Sequence, residues 1–182
     1  MFAAARSHNV AKVSGVFREM RPSSLAHTAY VVALYMAASS RYEGFYVDNF
    51  PTKREEVMNQ LYGTIGSEMH LTPSPFYAFD ELGRIARRGD EHAVRKLIEA
   101  HTVADGIVAE ATAGQLIGLW NAEPKLVLRA LADSSVSVQR TIVKEPYIWC
   151  DSSVRLPKMR LNTRAEPALL RQIVLQRRDC SR

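Results

Sequence analysis

Histidine, cysteine and serine are the residue types through which this chain could perform catalysis or bind a metal, and their spacing supports neither role. The histidines form no HExxH motif and no short His-x-His pair, and the serines lie in no GxSxG elbow. The chain also has no P-loop and no GxGxxG sequence, the loops that usually cradle phosphate groups. We therefore predict no catalytic residue, no cofactor, no metal ligand and no enzymatic activity.

The two cysteines, Cys150 and Cys180, are candidates for a disulfide bond. They form no CxxC pair, and neither lies at zinc-ligand spacing from a histidine. In an oxidising compartment a bond between them would close a loop of about 30 residues and stabilise the fold by about 3 kcal/mol, through the lost entropy of the unfolded chain. In a reducing cytosol they would be free thiols.

The net positive charge is concentrated at the C-terminal end. Residues 1–150 hold 16 basic and 16 acidic side chains, whereas residues 151–182 hold eight basic and three acidic ones. An aromatic pair precedes this basic segment, and the candidate partner-binding residues are Tyr147, Trp149, Arg155, Lys158, Arg160 and Arg164. Such a group can bind single-stranded nucleic acid or an acidic protein. In the alternative interpretation the aromatic pair fills the end of the core and the charges form a solvated surface.

The elements that must position these residues are predicted to be helices, because apolar residues recur at helical spacing through most of the chain. Pro73 and Pro75 interrupt the pattern, since proline lacks an amide donor and restricts the residue before it. We predict an all-α fold with a single helical domain over residues 23–182. Its parts, and the segment before it, are residues 1–22 (poorly ordered), 24–71 (N-terminal helices), 76–145 (helical repeats) and 146–182 (basic C-terminal segment).

One helical pattern occurs twice, 34 residues apart. Each copy has an apolar pair, a turn and a second apolar pair, as two short amphipathic helices would have. The turns contain Gly89-Asp90 in the first copy and Pro124 in the second. The apolar positions are Leu82, Ile85, Val94 and Leu97, then Leu116, Leu119, Leu128 and Leu131.

Residues 80–86 (DELGRIA) and 89–100 (GDEHAVRKLIEA) resemble the HEAT-like, armadillo-type α-helical repeats. The resemblance covers about residues 78–144. It implies a short α-α superhelix core whose helix faces bind another protein, and it transfers no catalytic residue. Because a free-standing solenoid needs at least about three repeats, the flanking helices are expected to cap the core at both ends.

Residues 20–40 also have the outline of a secretory signal, with a basic start, a moderately apolar stretch and small residues. The alternative is a buried core helix in which Val31, Leu34 and Tyr35 face inward. The protein is expected in the cytoplasm as numbered, and to be exported to the periplasm if Met20 is the true start. No apolar run is long enough to span a membrane.

Together these observations predict a non-enzymatic helical module that binds a protein partner, for example as an inhibitor or an immunity-type partner. One alternative is a nucleic-acid-binding protein that uses the basic C-terminal segment. Another is an enzyme whose site assembles without a recognised motif.

Overall fold

The computed structural model describes residues 1–67, 74–157 and 165–180, and its secondary structure over these residues is helical without any strand. This confirms the all-α fold that the periodicity predicts. The chain divides into two compact units, residues 1–78 and 79–182. The grouping of residues 23–182 as one domain, and the poor order expected of residues 1–22, stay predictions.

The first unit is built around one central helix. Its described helices are α1 (Phe2–Arg6), α2 (Val10–Glu19), α3 (Ser24–Ala37), α4 (Ser39–Asp48) and α5 (Glu56–Gly66). Helix α3 contacts each of the other four. Val31, Leu34 and Tyr35 on α3 are buried. Residues 24–37 therefore form the centre of this unit, with the inward residues that the core-helix interpretation predicts.

Helix α5 has an unusual winding, with hydrogen bonds between residues five apart over Glu56–Gly66. Such π-helical winding is rare and is mostly confined to short bulges. Gln60 ties α5 to α3, because its Oε1 accepts from Thr28 Oγ1 at 3.0 Å and its Nε2 donates to Ser24 Oγ at 2.7 Å. These bonds satisfy an amide that would be costly to bury unpaired.

The second unit contains the predicted repeats and the C-terminal segment. Helix α6 (Tyr77–Ala86) begins at the boundary and continues into this unit. The further described helices are α7 (Glu91–Val103), α8 (Gly106–Ala122), α9 (Pro124–Ala132), α10 (Val136–Val143), α11 (Pro146–Trp149) and α12 (Ala165–Asp179).

These helices contact one another in series. Helix α7 packs against α9, and α9 packs against α12. Helix α8 packs against α7, α9 and α11, while α10 lies against α7, α9 and α12. In the series α7, α9, α12, the middle helix α9 therefore contacts a helix before it and a helix after it, whereas α12 is the last described helix.

The turns within the two sequence copies have local causes. After α6 the chain reverses at Gly89, whose φ of +95° is accessible to glycine without steric cost. Asp90 then begins α7 by accepting a hydrogen bond from the Ala93 amide at 2.9 Å. Pro124 begins α9, where its missing amide has no partner within the helix. The two copies thus form the pairs α6–α7 and α8–α9.

A polar bridge joins α6 to α8 beside Gly83. Gln115 donates to Asp80 Oδ1 at 2.9 Å, and its Oε1 accepts from Arg87 Nη1 at 2.7 Å. The Gln115 side chain occupies the space that a Cβ at position 83 would need. Glycine at this position therefore leaves room for the Gln115 side chain to reach Asp80 and Arg87.

Candidate interaction surface

The aromatic pair predicted to bind a partner lies on α11, where its two side chains have different surroundings. Tyr147 is 59% exposed, whereas Trp149 is 1% exposed. The Trp149 indole donates to the Ile142 carbonyl at 2.6 Å and packs edge-on against Trp120, with ring centroids 4.9 Å apart. Trp149 is thus a core residue, because an indole with a satisfied N–H buries a large apolar area favourably. Of the pair, Tyr147 is the one that can contact a partner.

Arg155 is exposed, and its backbone is hydrogen-bonded to the C-terminal end of α8. Asn121 holds this stretch in place, since it donates to the Ser153 carbonyl at 3.0 Å and accepts from the Arg155 amide at 2.9 Å. Trp120 also donates to the Arg155 carbonyl at 2.7 Å. The Arg155 side chain borders an open groove of about 560 Å³. The other predicted basic residues of this group, Lys158, Arg160 and Arg164, lie outside the described residues.

The next part of the surface is α12. The C-terminal end of α12 is attached to the C-terminal end of α11. Cys150 and Cys180 have Cα atoms 5.3 Å apart, with their sulfur atoms at disulfide-bonding distance. The guanidinium of Arg177 donates to the Trp149 and Asp151 carbonyls, both at 2.7 Å. This arginine of the basic segment therefore serves to fix α12 in position.

Helix α12 has two apolar faces. The inner face is buried, with Leu169 5% exposed and Ile173 fully buried. The outer face lies roughly on the opposite side and borders a groove of about 540 Å³, in which Leu175 is 58% exposed. The described residues that line this groove, called the outer face of α12 below, are Pro167, Leu170, Arg171, Val174, Leu175 and Arg178.

The outer face was not among the predicted binding residues, although the sequence contains a signal for it. Leu169-Leu170 and Ile173-Val174 are apolar doublets one helical turn apart. An amphipathic helix with one buried stripe has apolar residues about three or four positions apart, and adjacent pairs widen the stripe beyond one face. The doublets therefore indicate a helix that is apolar on more than one side.

A second groove lies between α10 and the other flank of α12. Its volume is about 290 Å³, and Val136 at its edge is 69% exposed. The described residues lining it combine apolar and basic or amide side chains: Val136, Gln139, Arg140, Val143, Lys144, Ala168, Leu169 and Gln172. Both flanks of α12 thus present apolar side chains beside cations.

A buried polar cluster joins α7, α8 and the start of α11. The Thr112 hydroxyl donates to the backbone carbonyls of Val108 and Ala109, so it accepts from Nδ1–H of His101 at 2.8 Å. The opposite ring nitrogen, Nε2, lies 3.8 Å from the Glu145 carboxylate. Burial lowers the pKa of His101 below 6.5, while the nearby Glu145 charge opposes that shift.

This arrangement resembles the order of groups in a hydroxyl–imidazole–carboxylate triad, but its burial argues against catalysis. His101 is 3% exposed and Thr112 is fully buried. The single hydroxyl proton of Thr112 is already directed to backbone carbonyls, so imidazole Nδ1 acts as a donor toward it and not as a base. Within the described residues the cluster satisfies the Thr112 hydroxyl and Nδ1 of His101, whereas Nε2 of His101 faces the Glu145 carboxylate without a hydrogen bond.

Within the described residues, no group of three or more His, Cys, Asp or Glu side chains is arranged to hold a metal ion. No helix in the described ranges is both long enough and apolar enough to cross a membrane. Comparison with known protein families, with curated proteins and with solved structures gives no significant match.

Proposed function

We propose that the protein is a non-enzymatic helical module that binds another protein through its C-terminal helix. The observation that carries this proposal is the outer face of α12, where Leu175 is 58% exposed and Leu170 and Val174 are half-buried, on a helix that Arg177 holds in place. Exposed apolar patches with a polar rim mark interaction sites in soluble proteins. The inner face of the same helix already has its own partners in the second unit.

The HEAT-like architecture is part of this proposal, and the helix contacts support it. Corresponding helices of the two sequence copies pack together, with α7 against α9 and α6 bridged to α8 through Gln115. In stacked repeats each unit contacts its neighbours in this way. We propose that α11 and α12 extend the same two series, because α11 packs on α8 and α12 packs on α9. Terminal repeats need a polar outer surface for solubility, unless a partner covers them.

Binding without chemistry suits an adaptor or an inhibitor, including an immunity-type partner that neutralises another protein. Disulfide-distance cysteines at the base of α12 suit a protein that functions in an oxidising compartment. Nucleic-acid binding is the weaker alternative, since Trp149, one of the two aromatic residues required for stacking, is buried.

A pull-down from an extract of the source cells tests the proposal. Removal of residues 151–182 would delete Leu169 and Ile173 and expose the apolar surface of α9 and α10 against which α12 packs, so the single change Leu175→Gln is the sharper probe. Its matched control is Ile107→Gln, at an isoleucine that is 51% exposed at the start of α8. We expect wild type and Ile107→Gln to recover the same protein at near-stoichiometric amounts, and Leu175→Gln to lose it.

Two results would contradict this function. If Leu175→Gln recovers the partner protein as well as wild type does, the outer face of α12 does not bind that partner. Recovery that disappears after nuclease treatment of the extract would favour the nucleic-acid alternative, with binding that weakens steeply as salt is raised.

A further inference from the structure

We infer that the partner presents an acidic amphipathic helix, which packs lengthwise on the outer face of α12 with its carboxylates beside Arg171 and Arg178. This inference rests on the proposed function and adds the chemistry of the occupant. The surface that this helix would cover is linear. Arg171 and Arg178 lie along its midline, with Leu170 and Val174 on one side and Leu175 on the other.

The shape of the surface favours a helix. The six groove residues recur at spacings of three, one, three, one and three positions, from Pro167 to Arg178. This is the pattern of one continuous helical stripe, about three turns long. A second helix covers such a stripe through side-chain ridges and grooves, as in helix-in-groove recognition.

The order of the helices favours the same occupant. Helix α9 lies between α7 and α12, whereas α12 has α9 on its inner side and a groove on its outer side. A helix placed in that groove would have the relation to α12 that α12 has to α9. The partner would therefore continue the series of packed helices already present in the second unit.

The charges specify that the helix is acidic. Arg171 and Arg178 lie seven positions apart on the outer face, and none of the six groove residues is acidic. Guanidinium groups form paired hydrogen bonds with carboxylates, and these are stronger beside apolar side chains than in open water.

The same charges argue against a second copy of this chain. If two α12 helices packed against each other through their outer faces, four arginine side chains would be brought into one interface. Like charges placed opposite each other in an interface cost binding energy and exclude wrong partners. Nucleic acid is also disfavoured, because the outer face contains no aromatic ring on which a base could stack.

Designed peptides test the inference with the full-length oxidised protein. The acidic probe is a fluorescein-labelled helix of about 18 residues, with leucines in one stripe and glutamates elsewhere. The basic probe replaces every glutamate with lysine. By fluorescence anisotropy we expect the acidic probe to bind at least about tenfold more tightly than the basic one, with Leu175→Gln weakening it by about tenfold.

A charge exchange separates this interaction from general attraction to a basic protein. The double change Arg171→Glu/Arg178→Glu should reverse the preference, so that the basic probe binds more tightly. The matched control, Lys12→Glu/Lys125→Glu, alters the net charge equally at exposed positions that are not part of the outer face and should preserve the preference. Circular dichroism spectra identical to wild type establish that each variant is folded.

The results separate this inference from the proposed function. If neither probe binds while the pull-down still depends on Leu175, the acidic-helix inference is overturned and the protein-binding function stands. If both doubly substituted proteins lose the acidic probe equally, the binding is not located on α12 and the inference fails. A wild-type dimer in sedimentation experiments that Leu175→Gln converts to a monomer would overturn it in favour of self-association.

Discussion

Helices α9 and α12 both contain leucines and basic residues but occupy different positions in the second unit. Both are rich in leucine and have basic side chains on one line, Lys125 and Arg129 on α9 and Arg171 and Arg178 on α12. On α9 the apolar residues are buried on more than one side, because α7, α8, α10 and α12 all pack against it. On α12 the inner face alone is buried to the same degree.

The difference is that α12 has an exposed leucine, Leu175, beside the half-buried Leu170 and Val174, whereas Leu126, Leu128 and Leu131 of α9 are all buried. A helix needs apolar residues on two sides when it has neighbours on two sides, and α9 shows that arrangement completed within one chain. The outer face of α12, more than the charge of the C-terminal segment as a whole, is therefore what distinguishes this helix from α9.

The largest expected effect separates a buried leucine of α9 from the exposed leucine of α12. Leu128→Ala should lower the free energy of unfolding by about 2–5 kcal/mol, because Leu128 is fully buried and its loss leaves a cavity. Leu175→Ala should change it by less than about 0.5 kcal/mol, since this side chain already contacts solvent. Urea unfolding followed by circular dichroism measures both. Equal losses for the two variants would mean that Leu175 is buried within the chain.

The next effect concerns the attachment of α12. Reduction of a bond between Cys150 and Cys180, which are 30 residues apart in sequence, should lower the unfolding free energy by about 3 kcal/mol, because the unfolded chain regains entropy. Helix α9 needs no such link, since it follows α8 after a single residue, Glu123. Urea unfolding with and without reductant measures the change, and Cys150→Ser/Cys180→Ser is the control that should not respond to reductant. A wild-type protein equally insensitive to reductant would show that the bond does not stabilise α12.

Much of the contrast between α9 and α12 can be read from the sequence, but not all of it. The 34-residue spacing predicts the pairs α6–α7 and α8–α9, because Gly89, Asp90 and Pro124 have direct local effects on the backbone. Local rules do not predict which neighbour each apolar face acquires. Trp149 and Tyr147 differ by two positions, yet burial of one depends on the Ile142 carbonyl and the Trp120 ring, contacts that the predicted pattern does not specify.

A smaller effect distinguishes two arginines that are adjacent on α12. Arg177→Gln should lower the unfolding free energy by about 1–3 kcal/mol, because the charged side chain donates to two backbone carbonyls, those of Trp149 and Asp151. Arg178→Gln should leave stability within about 0.5 kcal/mol of wild type and instead weaken binding of the acidic probe. Thermal or urea unfolding paired with anisotropy gives both quantities. The reverse outcome, with Arg178 stabilising and Arg177 binding, would mean that the inner and outer sides of α12 have been exchanged.

The smallest effect depends on pH and contrasts the buried His101 on α7 with the exposed outer face of α12. Burial lowers the pKa of His101 on α7 below 6.5, so protonation favours the unfolded chain, in which that pKa is not lowered. The contribution of neutral His101 to stability is therefore present above about pH 6.5 and is lost as pH falls toward the lowered value, with the Glu145 carboxylate limiting the loss. Urea unfolding between pH 8 and pH 5 should show the free energy of unfolding of wild type falling with pH. The fall should be shallower in His101→Gln, because this variant lacks the proton that His101 binds on unfolding. Binding of the acidic probe to α12, where the outer face carries only arginine charges, should not follow the titration of His101. If the stability of wild type and of His101→Gln changed with pH in parallel, the imidazole would bind protons equally well in the folded and the unfolded protein. That result would contradict the burial of His101 on α7.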